Sequence, residues 1–504
     1  MELSNWRKKT SLILVLTGLG YFSLVGTLFY WLAPLETAIA GIEISLVSLV
    51  LPFKIALALL VSGLWLRFFD RSWFESGLIV AGLGVIFFLI PHSLGGDGQV
   101  RFQELEMLLE DGRRPTMSFS IWGPLFSTPL YYLGKWIQSP KWWCSRFNAL
   151  LLTLGLLVLH RLLKRRAERP LVSAFFLILL AGSMFPNHLR FYFGEVFTAV
   201  WVAVGTVALA GGKTFWGWTA IVLGVLNTPA ALPALGLVAL QRTFLEKRLR
   251  NLLPLVVAFL LILLENGYRR GAFWVTGYEE NAGAATILPY SGIPGFSYPF
   301  FFGLLSILLS FGKGMVFFAP GMFLSLKQWR FRLGDTLYAS YRMWILLVLG
   351  LVLVYAKWWS WYGGFFWGPR FFLLASLPAS LVLAARLRFL DPSLKSNLMT
   401  LLALSLSFWV GINGAVFDQQ GLDLCVKDGH ALEFLCWYVP EFSVLWRPLV
   451  VSRDLSLEQE LIIAYGLFVF FHLSLPLFSE IARQVRRIIV DLFHHFLGRE
   501  GWRI

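Results

Sequence analysis

The chain has 504 residues, of which 57% are hydrophobic and only 14% charged, and its mean hydropathy is +0.69. Soluble domains carry about 25% charged residues, so a soluble globular protein is excluded. Apolar runs of about 20 residues recur along the chain, the length that crosses roughly 30 Å of hydrocarbon, and this makes it a polytopic integral membrane protein. The runs lack alternation, which favours helices over a transmembrane barrel. The net charge of +14 does not mark a nucleic-acid surface. It is gathered in short segments between apolar runs: "WRKK" at 6–9, "HRLLKRRAER" at 160–169, "QRTFLEKRLR" at 241–250, "KQWRFR" at 327–332, "RLR" at 386–388 and "RQVRR" at 483–487. That pattern is the positive-inside signature of membrane topology.

In chain order, the sequence predicts an all-α membrane protein of about 12–14 transmembrane helices. Spans are expected near 11–32, 44–66, 74–91, 145–163, 170–187, 191–211, 214–227, 228–241, 251–267, 300–326, 342–357, 369–386, 397–415 and 459–478. The basic start and long apolar run at the N-terminus read as a first span and not as a cleaved signal. The pair 214–227 and 228–241 is short, divided at "LNTPAALP", and reads as a hairpin that does not fully cross. The run 300–326 reads as a surface helix followed by a crossing helix. With a cytoplasmic N-terminus every basic cluster falls inside, while the Lys- and Arg-free segment 33–43 falls outside. Residues 482–502 read as a cytoplasmic amphipathic helix on the membrane surface, with His494 and His495 as surface residues. The organisation follows as N-terminal helices over 1–90, a core over 91–385 that includes outer loops 92–144 and 268–299, and C-terminal helices over 386–504 with outer loop 416–458.

Cysteines number three and show no metal-site spacing. Cys425 and Cys436 share one outer loop, where a disulfide and two free thiols are both open.

The charged residues at helix ends carry the chemistry. In "SLGGDGQVRFQELEMLLEDGRRP", 93–115, glycines flank Asp97 and permit a tight turn. Residues 99–111 then fit a helix lying along the membrane, stopped by Gly112 and Pro115. Asp97 is either a functional acid held where water meets lipid or an ordinary helix cap. The segment 117–136 is aromatic, rich in Gly and Pro, and suits the outer interface. Glu195, a few residues into an apolar helix, either faces a cavity or pairs with nearby Arg190. Lys313, between two glycines in "SFGKGMVFFAP", and Arg370, after Gly368-Pro369, are cations at membrane depth on the same side as Asp97. They bind a specific anion, for which Arg offers a planar fork and Lys a point charge, or they snorkel to headgroups. Trp358, Trp361 and Tyr362 either contact a sugar or lipid or belong to an interfacial aromatic belt. Glu279 and Glu280 open a Gly/Pro-rich loop that is a candidate cover for a substrate.

Five motifs between roughly residues 90 and 385 resemble the GT-C superfamily of polytopic glycosyltransferases, which includes protein O-mannosyltransferases and lipid A aminoarabinose transferases. They are "GGDGQVRFQELEMLLEDG", "WGPLFSTPLYYLG", "FYFGEVFTAVW", "GFSYPFFFGLLSILLSFGKGMVFFAPG" and "WWSWYGGFFWGPRFFLLASLP". The resemblance implies a fold with surface-lying helices and a cavity open to the periplasm or cell exterior, in the inner membrane. It implies a polyprenyl-phosphate sugar as donor, a lipid, glycan or protein as acceptor, and inversion at the anomeric carbon. Asp97 matches the family's general base. Glu195 matches the acid that positions acceptor or ion, and Lys313 and Arg370 match the basic residues facing the lipid phosphate. A divalent metal ion stays open as a cofactor. Gly98 follows Asp97 where many members carry a second acid, which weakens a metal role in this loop. The alternative of another class is a transporter or flippase of lipid-linked saccharides, which predicts ionisable residues spread over midplane positions of several helices.

Overall fold

The structure, a computed structural model, describes residues 9–21, 23, 47–68, 72–326 and 330–499. The outer segment expected at 33–43, nearly all of the second half of the first predicted span and the side chains of His494 and His495 lie outside the described residues. The chain divides into two compact units, Met1–Leu78 and Ile79–Ile504.

In the first unit, helix Lys9–Tyr21 meets helix Val47–Phe68. A Cβ at Gly63 would stand 2.8 Å from the Val15 backbone nitrogen, and Ser11 Oγ donates to the Gly63 carbonyl at 2.9 Å. Small residues and a hydroxyl at the crossing are the means by which membrane helices pack closely.

Among its described residues the second unit is helical apart from one isolated bridge pairing Ser93 with Phe191. Among the described residues five helices are long and apolar enough to cross a membrane: Leu249–Arg270, Asp335–Tyr355, Arg370–Arg388, Leu394–Val416 and Leu457–Phe493. Each falls on a predicted span. Shorter apolar helices of 10–17 residues occupy most of the other predicted spans. Helix Thr214–Asn227, of 14 residues, and helix Leu232–Glu246, of 15, each rise only about 21–23 Å at ~1.5 Å per residue. Both fall short of a full crossing, as the Pro-divided sequence predicts. Thr214–Asn227 packs tightly on Glu195–Ala210 because Gly205 meets Gly217, whose carbonyl oxygen is 2.7 Å from where a Gly205 Cβ would be. The indole of Trp344 donates to Thr206 Oγ1 at 2.7 Å and ties helix Asp335–Tyr355 to the same pair.

Two expectations are corrected. No crossing helix fills the second half of 300–326. Helix Phe300–Leu309 ends, and a single turn at Met315–Phe318 and a 3-10 turn at Pro320–Phe323 follow. Gly312, Gly314, Pro320 and Gly321 interrupt the helix, and Gly312 is required by contact: a Cβ there would stand 1.9 Å from the Cys436 carbonyl oxygen. The C-terminal amphipathic segment is likewise no separate element, because one helix runs Leu457–Arg499. Pro476 stands inside this helix near the end of the span and does not end it, so the helix continues where the composition turns polar.

The segment 92–144 folds into short pieces that include helix Asp97–Glu110, Trp122–Phe126 and Thr128–Trp136. Cys425 and Cys436 form a disulfide, and Cys144 is a buried free thiol.

Candidate active site

Three chain segments bring charge to one place. The first is the start of helix Asp97–Glu110. Gly96 adopts φ +58°, open chiefly to glycine, and the Gly98 and Gln99 amides close the turn onto the Gly95 and Gly96 carbonyls at 3.2 and 3.0 Å. Gly98 also lets this turn rest on the next segment, since a Cβ there would stand 3.3 Å from Tyr192 Cβ. The Ser93 amide donates to the Arg190 carbonyl at 2.7 Å and fixes the approach. The second segment opens helix Glu195–Ala210 with Glu195 itself. The third is Gly368-Pro369-Arg370, with Gly368 at φ +62° and Arg370 beginning the buried stretch Arg370–Arg388.

Arg370 Nη2 donates to Asp97 Oδ2, and Arg370 Nε lies 3.0 Å from Glu195 Oε1. The second contact is an ion pair too oblique for a hydrogen bond, and Glu195 Oε2 is enclosed with no partner. The guanidinium lies 5.0, 5.6 and 5.3 Å from the ring centroids of Phe193, Phe366 and Phe371. Aromatic faces and two carboxylates hold the cation in a site mostly withdrawn from water. Asp97 is the more accessible acid, with 28% of its side chain exposed against 14% for Glu195. Both acids stand at helix N-termini, where a negative charge is favoured.

The local alternative for Glu195 fails. Arg190 turns away and pairs with Asp418, Nη2 to Oδ2 at 3.7 Å.

Lys313 does not join the ion pairs. Its ammonium donates to the carbonyls of Phe366 at 2.5 Å, Gly368 at 3.0 Å and Gly364 at 3.3 Å. Three acceptors use the three N–H donors of an ammonium, so Lys313 ties down the strap that leads into Arg370. Glu433, itself buried in the disulfide-closed loop, is the acid whose charge bears on it. Replacing Lys313 with Met leaves buried carbonyls unpaired, which costs about 1–3 kcal/mol. Lys313→Met is expected to lower the thermal unfolding midpoint of detergent-purified protein, and an unchanged midpoint would remove the strap role.

The aromatic candidates separate. Trp361 and Tyr362 are buried, at 1% and 6% exposure, and pack on Trp437, with ring centroids 5.7 and 3.9 Å away. They brace the disulfide-closed loop and offer no open ring face for a sugar. Trp358 is half-buried and lies 6.0 Å edge-on from Tyr278. Glu279 folds back on its own turn, accepting from the Thr276 and Gly277 amides at 2.6 and 2.8 Å. Those bonds, the Thr276 amide first, hold its carboxyl down to about 2. Its carboxylate caps its own turn at an exposed position of the loop.

Sequence reasoning missed three arginines. Arg101, one turn beyond Asp97, is buried against this site. Arg269 and Arg270 end helix Leu253–Arg270 and clamp the segment at 115–121 beside it. Arg269 bonds Glu265 at 2.8 Å and the Met117 carbonyl, and Arg270 bonds the Met117 and Ser118 carbonyls at 2.8 and 3.1 Å. Glu265 accepts from Ser120 Oγ and the Ile121 amide at 3.1 and 3.0 Å. The signal was available: a Glu–Arg pair four residues apart at the end of an otherwise apolar helix, "ENGYRRG".

Among the described residues no three His, Cys, Asp or Glu side chains gather as a metal site. Asp97 and Glu195 both pair with Arg370, and with that guanidinium between them this donor set does not fit a resident divalent cation.

No family model and no curated protein matches this sequence. Two solved structures are similar to it, both crystal structures of ArnT from Cupriavidus metallidurans. The one bound to undecaprenyl phosphate is 17% identical over 83% of this chain and 79% of that chain, with a TM-score of 0.47. The one in the apo state is 16% identical over 82% of this chain and 78% of that chain, with a TM-score of 0.46.

Proposed function

We propose that this protein is a membrane glycosyltransferase of the GT-C type. It moves one sugar from a polyprenyl-phosphate carrier to a hydroxyl of a lipid, glycan or protein at the outer face of the cytoplasmic membrane. The observation that carries this reading is the convergence of Asp97 and Glu195 on Arg370 at the starts of three helical segments. Displacing a phosphate from an anomeric carbon needs a proton acceptor for the attacking hydroxyl and a cation for the leaving anion. Asp97, the more accessible carboxylate, takes the proton as the acceptor oxygen bonds to the anomeric carbon. The bond from that carbon to the phosphate oxygen breaks, and its electron pair leaves with the phosphate. Arg370 offsets the developing charge in a low-dielectric setting, and Glu195 holds the guanidinium from the other side. Attack opposite the leaving group inverts the centre.

The test uses the purified full chain in lipid nanodiscs, a polyprenyl-phosphate sugar labelled in the sugar, and envelope lipid, glycan and protein fractions as acceptors. Label appearing in one fraction together with free polyprenyl phosphate is expected. Movement of intact lipid-linked sugar across the bilayer, with no glycosidic bond broken, would establish a flippase instead.

A further inference from the structure

Among the described residues, Arg101 lies beside the paired acids and makes no ion pair of its own. Its side chain is buried, with the residue 8% exposed, in the heart of the charged site. Asp97 and Arg101 are four residues apart on one helix and so share a face. Glu195, Tyr278, Asp97 and Arg370 are the groups whose charges bear on it. Arg101 Nη2 stands 3.0 Å from where a Gly194 Cβ would be, next to Glu195, and the guanidinium lies 4.9 Å from the Phe119 ring centroid.

Yet this guanidinium is almost unused. Nη1 reaches the Ser120 carbonyl at 3.3 Å, Nε is enclosed with no partner, and among the described residues it forms no ion pair. The Nε of Arg270 and of Arg370 also lacks a hydrogen-bond partner, but two other buried arginines, Arg269 and Arg386, are fully engaged. Arg269 bonds through Nε, Nη1 and Nη2. Arg386 does the same, through Nε and Nη2 to the Ser325 carbonyl and Nη1 to Ser396 and Thr400. Five N–H donors on a buried arginine ordinarily find acceptors, and leaving them unmade is costly. Arg370 beside it is committed to two carboxylates. Two acids and two arginines make the cluster formally neutral, and among the described residues no carboxylate pairs with the charge on Arg101.

We propose that Arg101 binds a phosphate, presenting its planar fork to the oxygens of a phosphate group that enters beside Asp97. The source of that phosphate, the lipid carrier of the sugar donor, rests on the transferase reading above. The fork geometry suits phosphate in particular, and Arg101 receives the anion while Arg370 stays engaged with the acids.

The experiment measures binding to the purified full chain in detergent, for wild type, Arg101→Met and Arg101→Lys. The probes are a radiolabelled polyprenyl phosphate, the matching polyprenol, and inorganic phosphate as competitor. Loss of a charge-assisted contact predicts roughly 10- to 100-fold weaker polyprenyl phosphate binding for Arg101→Met. Polyprenol binding should not change, and Arg101→Lys should fall between the two. Competition by inorganic phosphate would identify the headgroup alone as the ligand; absence of competition, with the Arg101 dependence kept, would identify a lipid-borne phosphate. Both outcomes support the proposal. Equal polyprenyl phosphate affinity in wild type and both variants would overturn it, as would an equal loss for polyprenol, which would mark a packing role. Should Arg101→Met fail to fold, Arg101→Lys alone decides: wild-type affinity in it overturns the fork argument. A wild-type protein that binds the phosphate through Arg101 but transfers no sugar would refute the transferase and leave this site standing.

Discussion

Asp97→Asn is expected to lower the rate of sugar transfer by about 10²–10⁴-fold, the usual contribution of a positioned general base, with little change in folding. The substitution keeps the shape of the side chain and a carbonyl oxygen that still accepts from Arg370. It removes the site that takes the hydroxyl proton. Because Glu195 still faces the guanidinium, the cation does not become isolated, and Asp97 is the partly exposed member of the cluster. The loss should therefore fall on kcat, measured in single turnovers with saturating lipid-linked donor, while donor KM moves little. A base acts only as the transition state is approached, and that gives this split. The thermal midpoint of the purified variant is the control. A folded Asp97→Asn protein that transfers at the wild-type rate removes Asp97 as the base, and a rise in donor KM with unchanged kcat would instead make it a binding group.

The parts of the site legible in the sequence were those where an ionisable side chain stands against an apolar background. Asp97, Glu195 and Arg370 each violate the hydropathy pattern at a helix end, and a charge in such a place requires a partner. What the pattern does not encode is which partner. Arg190 is five residues from Glu195, yet it pairs with Asp418, while the ion partner of Glu195 is 175 positions further along. Lys313 is the same lesson from the other side. Its charge marked it as special, but its acceptors are main-chain carbonyls of the strap at 364–368, and carbonyls leave no trace in residue type. Arg101 went unread because "GQVRFQELEMLLE" is an amphipathic surface helix by composition, where an arginine ordinarily points to water. Only the position of Gly194 and the segment at 118–121 turns that face inward. The fold followed similar limits. Apolar runs fixed where helices lie, whereas the break at Gly312 depends on the close passage of the Cys436 carbonyl. Aromatic residues were the least legible group, since Trp361 and Tyr362 in a loop have the same composition whether they hold a sugar or hold another loop.

Arg370→Met is expected to damage stability and activity together, and the two effects can be separated. Removing the guanidinium leaves Asp97 and Glu195 near each other with no direct cationic partner, one of them well withdrawn from solvent. Breaking a buried ion pair from one side costs about 3–5 kcal/mol, because the remaining charge is stranded. Two stranded carboxylates sit at the upper part of that range, offset by the exposure of Asp97 and by whatever positive field Arg101 provides. The variant should therefore unfold at a lower temperature in detergent, and its transfer rate should fall below that of Asp97→Asn, since both the leaving-group cation and the position of the base are lost. Arg370→Lys keeps the charge but replaces a planar fork with a point donor, so it should recover part of the stability and little of the rate. The decisive comparison is the double variant Arg370→Met with Asp97→Asn. If the ion pair is what Arg370 supplies to the fold, neutralising Asp97 relieves one of the stranded charges, and the double variant is more stable than Arg370→Met alone. The coupling is then a non-additivity of the size contacting charges show, roughly 0.5–3 kcal/mol. Activity should not return with it, because neither the Asp97 carboxylate nor the Arg370 guanidinium remains. Additive losses of stability in that cycle would mean that Asp97 and Arg370 do not depend on each other in the folded protein, and the shared site would have to be given up.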